Sequence, residues 1–122
     1  MNSYSFKTIF GWITVKSLES KLVSVKFGKT KNLGNDKYLI YISKQIKLYS
    51  LGKLKKFNID YSLLGSPLQI KIWNELSKIK YGQTKSYGQI AKNIKTSPRY
   101  VGNVCGKNNL LLIIPCHRVI KS

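Results

Sequence analysis

Cys116, His117 and Arg118 stand side by side near the end of the chain, directly after Pro115. A thiol becomes a nucleophile as its thiolate, and a base or fixed positive charge nearby favours that form. Imidazole and guanidinium both follow this thiol, in a chain with one histidine and only two arginines. The acids Glu19, Asp36, Asp60 and Glu75 all lie far upstream. Pro115 restricts the backbone ahead of the thiol and suits a thiol held at the rim of a pocket. Neighbours in extended chain point to opposite sides, so His117 is expected to act through a bound water or a turn. Zinc fits less well, because Cys105, Cys116 and His117 offer three ligands where a structural site takes four. Cys105 itself reads as a small buried hydrophobe. No metal and no cofactor are expected.

The elements that must position this cluster divide the chain into residues 1–60, a sheet-and-helix scaffold, and residues 61–122, a helical catalytic part. Tyr4-Ser5-Phe6-Lys7 alternates, Trp12-Ile13-Thr14-Val15 follows Gly11, and Leu22 to Phe27 follows the Glu19-Ser20-Lys21 turn. These predict an antiparallel meander closing at Gly28. Thr30 to Asp36 is loop. Tyr38, Ile42, Ile46 and Tyr49 recur at helical spacing up to Gly52, and Phe57, Ile59 and Tyr61 predict one more short strand. From Gly65 the signals become helical. Ser66-Pro67-Leu68-Gln69 is a capped start, with Leu68, Ile72, Leu76 and Ile79 as an apolar stripe, Trp73 beside it and Gly82 as the stop. Ser86-Tyr87-Gly88-Gln89 repeats the box before Ile90, Ala91 and Ile94. Ser97-Pro98 opens a third helix with Val101, Val104 and Cys105 inward. Two short helices joined tightly suit a helix-turn-helix, although the turn lacks glycine. Arg99, Asn103 and Lys107 form the outer ridge, residue types that meet phosphates and base edges and also populate ordinary solvated faces.

Charge points the same way. The chain has 122 residues, 43% of them apolar, with 22 Lys and Arg against 4 Asp and Glu, a formal +18. That field draws polyanions, nucleic acid foremost, although 20 of the 22 basic residues being lysine also fits a lysine-heavy codon bias. Two cysteines make no disulfide framework, no signal peptide pattern precedes the first strand, and no apolar run nears the roughly 20 residues of a membrane span. A monomeric cytoplasmic, nucleoid-associated protein is expected, with no membrane partner.

Pro115-Cys116-His117-Arg118-Val119 resembles the active-site signature of the O6-alkylguanine-DNA alkyltransferases, or methylated-DNA–protein-cysteine methyltransferases. The resemblance is collinear from Gly65 to Ile120. Gly65-Ser66-Pro67-Leu68-Gln69 through Trp73 looks like the family's Gly-Thr-Pro-Phe-Gln helix start. Tyr81-Gly82-Gln83-Thr84 with Ser86-Tyr87-Gly88 is similar to its Tyr-Gly-x-Thr-x-Ser-Tyr-Gly segment. Arg99-Tyr100-Val101-Gly102 resembles its Arg-x-Val-Gly, and Asn108 keeps the family's spacing to the cysteine. The implied fold is α+β: a small N-terminal α/β, ribonuclease H-like sheet domain, then a helical, winged-helix-like DNA-binding catalytic domain. The implied function is repair of double-stranded DNA containing O6-alkylguanine, and possibly O4-alkylthymine, by irreversible single-turnover transfer to Cys116. The resemblance implies that His117 relays the thiol proton through water. It makes Arg99 the finger that replaces an extruded nucleotide and Tyr87 the side chain that crowds its phosphate. Asn103 and Lys107 would contact phosphates, Asn108 would sit at the bend, and Pro115 and Arg118 would support the site.

The chain ends at Ser122, six residues after Cys116. Family members continue through a glycine-rich loop and a final helix that supply a lid and a glutamate orienting the histidine. A truncated gene or fragment, with marginal stability, is therefore the expectation. Two other readings stand beside alkyl transfer: a non-catalytic binder of alkylated DNA, and a general basic helix-turn-helix regulator.

Overall fold

The computed structural model describes residues 1–121, and the chain divides into two compact units, one running from Met1 to Ser62 and the other from Leu63 onward. The architecture is α+β, as expected. In the first unit β1 (Asn2–Thr8), β2 (Gly11–Leu18) and β3 (Lys21–Phe27) form an antiparallel meander in that order. Its register pairs Phe6 with Ile13 and Val15 with Val25, so alternation puts these apolar side chains on one buried face. Helix α1 (Lys37–Ser50) packs there through the fully buried Leu39, Ile42 and Ile46. Asp36 starts it, accepting from Tyr38 N at 2.9 Å and from Ser17 Oγ at 2.6 Å. The opposite face is polar, and the loop after β3 lies over it. Ser5 Oγ bonds Thr14 Oγ1 at 2.7 Å and donates to the Thr30 carbonyl at 2.9 Å, while Thr14 donates to the Gly28 carbonyl at 2.8 Å.

The strand expected at Phe57–Tyr61 does not form. That segment runs beside the start of β3 and makes only an isolated parallel bridge between Tyr61 and Leu22. Side chains hold it where ladder bonds would otherwise act: Gln45 brackets Asn58 through its N–H and carbonyl, and Tyr38 Oη accepts from Asp60 N at 2.6 Å. Alternation alone does not distinguish this clamped extended segment from a paired strand.

In the second unit, α2 (Pro67–Leu76) begins at Ser66 with a reciprocal capping box to Gln69, at 2.9 and 3.2 Å. Gly65 is required there: a Cβ would fall 2.6 Å from Gln69 Oε1 and 2.9 Å from the Trp73 ring. The helix stops at Leu76, six residues before the predicted stop at Gly82. Ser77 Oγ donates back to the Trp73 carbonyl at 3.0 Å, sharing that acceptor with its own N–H, and the chain tightens through Ile79 N to the Leu76 carbonyl. Ile72 and Leu76 are buried as expected, and Ile79 is buried beyond the helix end, but Leu68 is 37% exposed. Strand β4 (Lys85–Ser86) leads into α3 (Tyr87–Ile94), boxed by Ser86 and Gln89, and α4 (Pro98–Cys105) follows with Ser97 as its cap.

The tight turn between α3 and α4 has no glycine, yet it forms. Lys95 takes the left-handed conformation itself, φ 65° and ψ 51°, and Thr96 N closes on the Ala91 carbonyl at 2.9 Å. A side chain there costs about 1–2 kcal/mol relative to glycine. Lys95→Gly should therefore raise unfolding stability by roughly 1 kcal/mol, after its greater unfolded-state entropy is subtracted. A denaturant midpoint that falls would contradict the assignment.

Candidate active site

The apolar run Leu110-Leu111-Leu112-Ile113-Ile114 ahead of the cluster is turned. Leu112 sits at φ 69°, Ile114 N bonds the Leu110 carbonyl at 2.9 Å, and only Leu110 and Ile114 of the five are buried. Burying the two ends folds the run into a loop whose middle, Leu111 to Ile113, is half-buried. Pro115 then makes an inverse γ-turn: φ is −82° and ψ 63°, and Cys116 N bonds the Ile114 carbonyl at 2.8 Å. The ring restricts φ near the required value, so proline pre-sets the bend that presents the thiol. Cys116–Arg118 is a single 3₁₀ turn, and β5 (Val119–Ile120) pairs in parallel with β4, Lys85 opposite Val119. The thiol turn is thus tied to the segment that starts α3.

Asn108 is the clamp of this turn. Its Oδ1 accepts from Leu110 N at 2.8 Å, and its Nδ2 donates to the Ile114 carbonyl at 2.9 Å and to Cys116 Sγ at 3.4 Å. One amide therefore closes the 108–116 loop and touches the nucleophile candidate. Arg118 turns elsewhere. Its Nη1 donates to the Ile79 carbonyl at 2.7 Å and its guanidinium lies 5.7 Å from the Tyr81 ring centre. The fixed charge beside the thiol in sequence thus braces the stretch after α2.

Cys105, expected as plain core, is only half-buried and stands beside Cys116 closely enough for each thiol to shift the other. The neighbouring Cys105 thiol, burial and the charge of a Cys105 thiolate push Cys116 far above the ordinary 9.0, with the Asn108 amide acting in the opposite direction. Cys116 correspondingly lowers Cys105, against burial. A negative charge on the pair therefore falls more readily on Cys105 than on Cys116, and a second charge is opposed by both burial and the first. His117 is exposed by area, yet the partial burial of its ring lowers it below the ordinary 6.5, and the charge of Arg118 adds to that. Near neutral pH the imidazole is consequently held toward its neutral form, which can take a proton. Among the described residues no three His, Cys, Asp or Glu side chains gather as a metal would require.

The other site candidates lie on the two short helices. Tyr87 is the first residue of α3 and half-buried, and it packs toward α4: a Cβ on Gly102 would lie 3.8 Å from Tyr87 Cε1. Arg99 and Asn103 are exposed on α4, one turn apart. Lys107 is exposed too, but α4 ends at Cys105, so Lys107 lies past the helix and the expected three-residue ridge is two residues long. Gly106 and Lys107 close the turn with bonds to the Gly102 and Val104 carbonyls. Trp73 steadies this end of α4, its Nε1 reaching the buried Val104 carbonyl at 3.4 Å. Cys105 is the site residue missed in the sequence. The one signal for it was that the chain's only other cysteine falls just before Asn108.

Comparison with known proteins bears on the same residues. A family model described as 6-O-methylguanine DNA methyltransferase, DNA binding domain, matches residues 67–122. The methylated-DNA–protein-cysteine methyltransferase of Methanosarcina acetivorans is 35% identical over 125 residues, covering 94% of this chain and 80% of that protein. The protein of the same name from Sulfurisphaera tokodaii is 38% identical over 120 residues, covering 94% and 76%. Among solved structures, Mycobacterium tuberculosis OGT in complex with DNA matches with a TM-score of 0.88 at 29% identity, over 98% of this chain and 78% of that one.

Proposed function

This chain belongs to the methylated-DNA–protein-cysteine methyltransferase family, and from that premise we propose that it repairs DNA by taking the alkyl group from O6 of guanine onto Cys116. The support is the Cys116 sulphur itself, set on a proline-made turn with an amide donor at 3.4 Å and a neutral imidazole on the next residue. In the step, the sulphur attacks the alkyl carbon, the C–S bond forms, and the C–O6 bond breaks with its electron pair leaving on guanine. The thiol proton goes to His117, by way of water, and the guanine anion is neutralised by a proton in turn. Nothing in this step returns the thioether to a thiol, so one chain acts once. The neighbouring Cys105 and burial oppose a standing Cys116 thiolate, which makes a nearby proton acceptor necessary at neutral pH.

Tyr87 and Arg99 carry the nucleotide side of the proposal. Arg99 is an exposed guanidinium on α4, and the Tyr87 ring of α3 lies toward Gly102 of that helix, so a wedge and a crowding ring stand on adjacent helices. Asn103 and Lys107, both exposed, take phosphates. The partner is double-stranded DNA bearing O6-alkylguanine, with the protein acting as a monomer. Full-length protein mixed with O6-methylguanine duplex should gain one methyl mass per chain, and no gain from properly folded protein would sink the proposal. Binding without transfer would favour the non-catalytic reading, which the raised Cys116 thiol supports.

The pH profile follows from the two shifts. Lowered below 6.5, His117 stays a base as pH falls through the ordinary imidazole range, and the rate should drop only once the imidazole protonates. Stopped-time transfer assays should place the acid limb below 6.5, and replacing His117 with Gln should remove it. An acid limb at or above that value would contradict the proton role.

A further inference from the structure

A chain with two cysteines brings both to one place. Both are free and half-buried. Cys105 closes α4, and its carbonyl accepts from Asn108 N at 3.2 Å, while the side chain of the same asparagine reaches Cys116 Sγ at 3.4 Å. One residue thus grips both cysteines, one through its backbone and the other through its amide. Each thiol also acts on the titration of the other, so the two side chains stand as neighbours beside Asn108. Alkyl transfer as described uses one sulphur only, which leaves the second without a part in it.

We propose that Cys105 and Cys116 capture one another on oxidation as a reversible intramolecular disulfide. The chemistry balances with a hydroperoxide as oxidant. The thiolate attacks a peroxide oxygen, the O–O bond breaks, and the sulphur becomes a sulfenic acid as water or an alcohol leaves. The second thiol attacks that sulphur, the S–O bond breaks, water leaves with the remaining proton, and the S–S bond forms. Each sulphur gives up one electron, and the peroxide takes both. The disulfide ties up the sulphur that alkyl transfer needs, but it also stops oxidation short of the irreversible sulfinic acid. Its consequence for repair rests on Cys116 being the alkyl acceptor, whereas formation of the bond does not.

The test treats the reduced full-length chain with a small excess of hydrogen peroxide and follows intact mass, free thiols and peptide maps. Wild-type protein should lose both thiols and the mass of two hydrogens, remain monomeric on non-reducing gels, and yield one peptide pair joining Cys105 to Cys116. Dithiothreitol should restore both thiols and the capacity for transfer. Cys105→Ala and Cys105→Ser, at the same dose, should instead carry two or three oxygens on Cys116, with transfer lowered by at least about tenfold after reduction. Oxygens on wild-type Cys116, disulfides only between chains, or thiols that survive the dose would each overturn the proposal. If the variants fail to fold, the wild-type mass and the linked peptide decide alone. Since these need no DNA, an absence of alkyl transfer would sink the repair reading and leave this result standing or falling separately.

Discussion

Cys116→Ala should abolish alkyl acceptance completely while the protein keeps its fold and its affinity for DNA. The side chain is half-buried and its removal deletes a single sulphur, at a cost of about 1 kcal/mol or less in packing. Nothing else at the site can replace it. Cys105 lies beside it, but Asn108 Nδ2 is aimed at Cys116 Sγ, and it is Cys116 that Pro115 carries out on its turn. Mass spectrometry after incubation with O6-methylguanine duplex should show no added methyl group on the variant, with binding by gel shift retained. Alkylation of Cys105 in the variant would show that the wrong thiol had been assigned.

Asn108→Ala should combine a large loss of rate with a loss of stability. The amide makes three hydrogen bonds, two of them to backbone groups at Leu110 and Ile114, residues whose side chains are fully or nearly fully buried. Leaving those backbone groups without partners costs about 1–3 kcal/mol each, so a destabilisation of roughly 2–5 kcal/mol is expected in denaturant unfolding. The loop that sets the thiol would relax, and a displacement of about 1 Å at a reacting atom lowers rate by on the order of a hundredfold. Asn108→Asp separates the two effects. An Asp carboxylate still accepts from Leu110 N, but it cannot donate to the Ile114 carbonyl, and its charge raises the thiol further. It should lose less stability than the alanine variant and at least as much rate. A variant that unfolds earlier yet transfers normally would mean that Asn108 only braces the loop.

The local signals were legible where one residue type solves one local problem. Ser66 with Gln69, Ser86 with Gln89 and Ser97 with Pro98 marked three helix starts, because orphan N–H groups need an oxygen at a fixed offset. The meander was legible for the same reason: period-two alternation leaves one face apolar, and Phe6, Ile13, Val15 and Val25 all fell on it. Failures arose where side chains override a pattern. The Phe57–Tyr61 alternation is held by Gln45 and Tyr38, residues distant in sequence, and the chain after α2 tightens into turns that periodicity does not register. The turn at Lys95 was doubted for want of glycine, although a capped helix pair can impose a left-handed residue.

For the site, the sequence by itself determined the nucleophile candidate, its base and its proline, since these are adjacent and adjacency needs no fold. It also placed Asn108, Tyr87 and Arg99 through their motif resemblance. The tertiary structure alone decided what each charge and thiol acts on. Arg118, next but one to Cys116 in the chain, braces Ile79 and Tyr81, while Cys105, well back along the chain, lies against the sulphur. Covalent neighbours on a tight turn point apart, and burying Leu110 and Ile114 folds the intervening loop back, so α4's last residue meets the turn. That placement is set by packing, which has no signature in the order of residues.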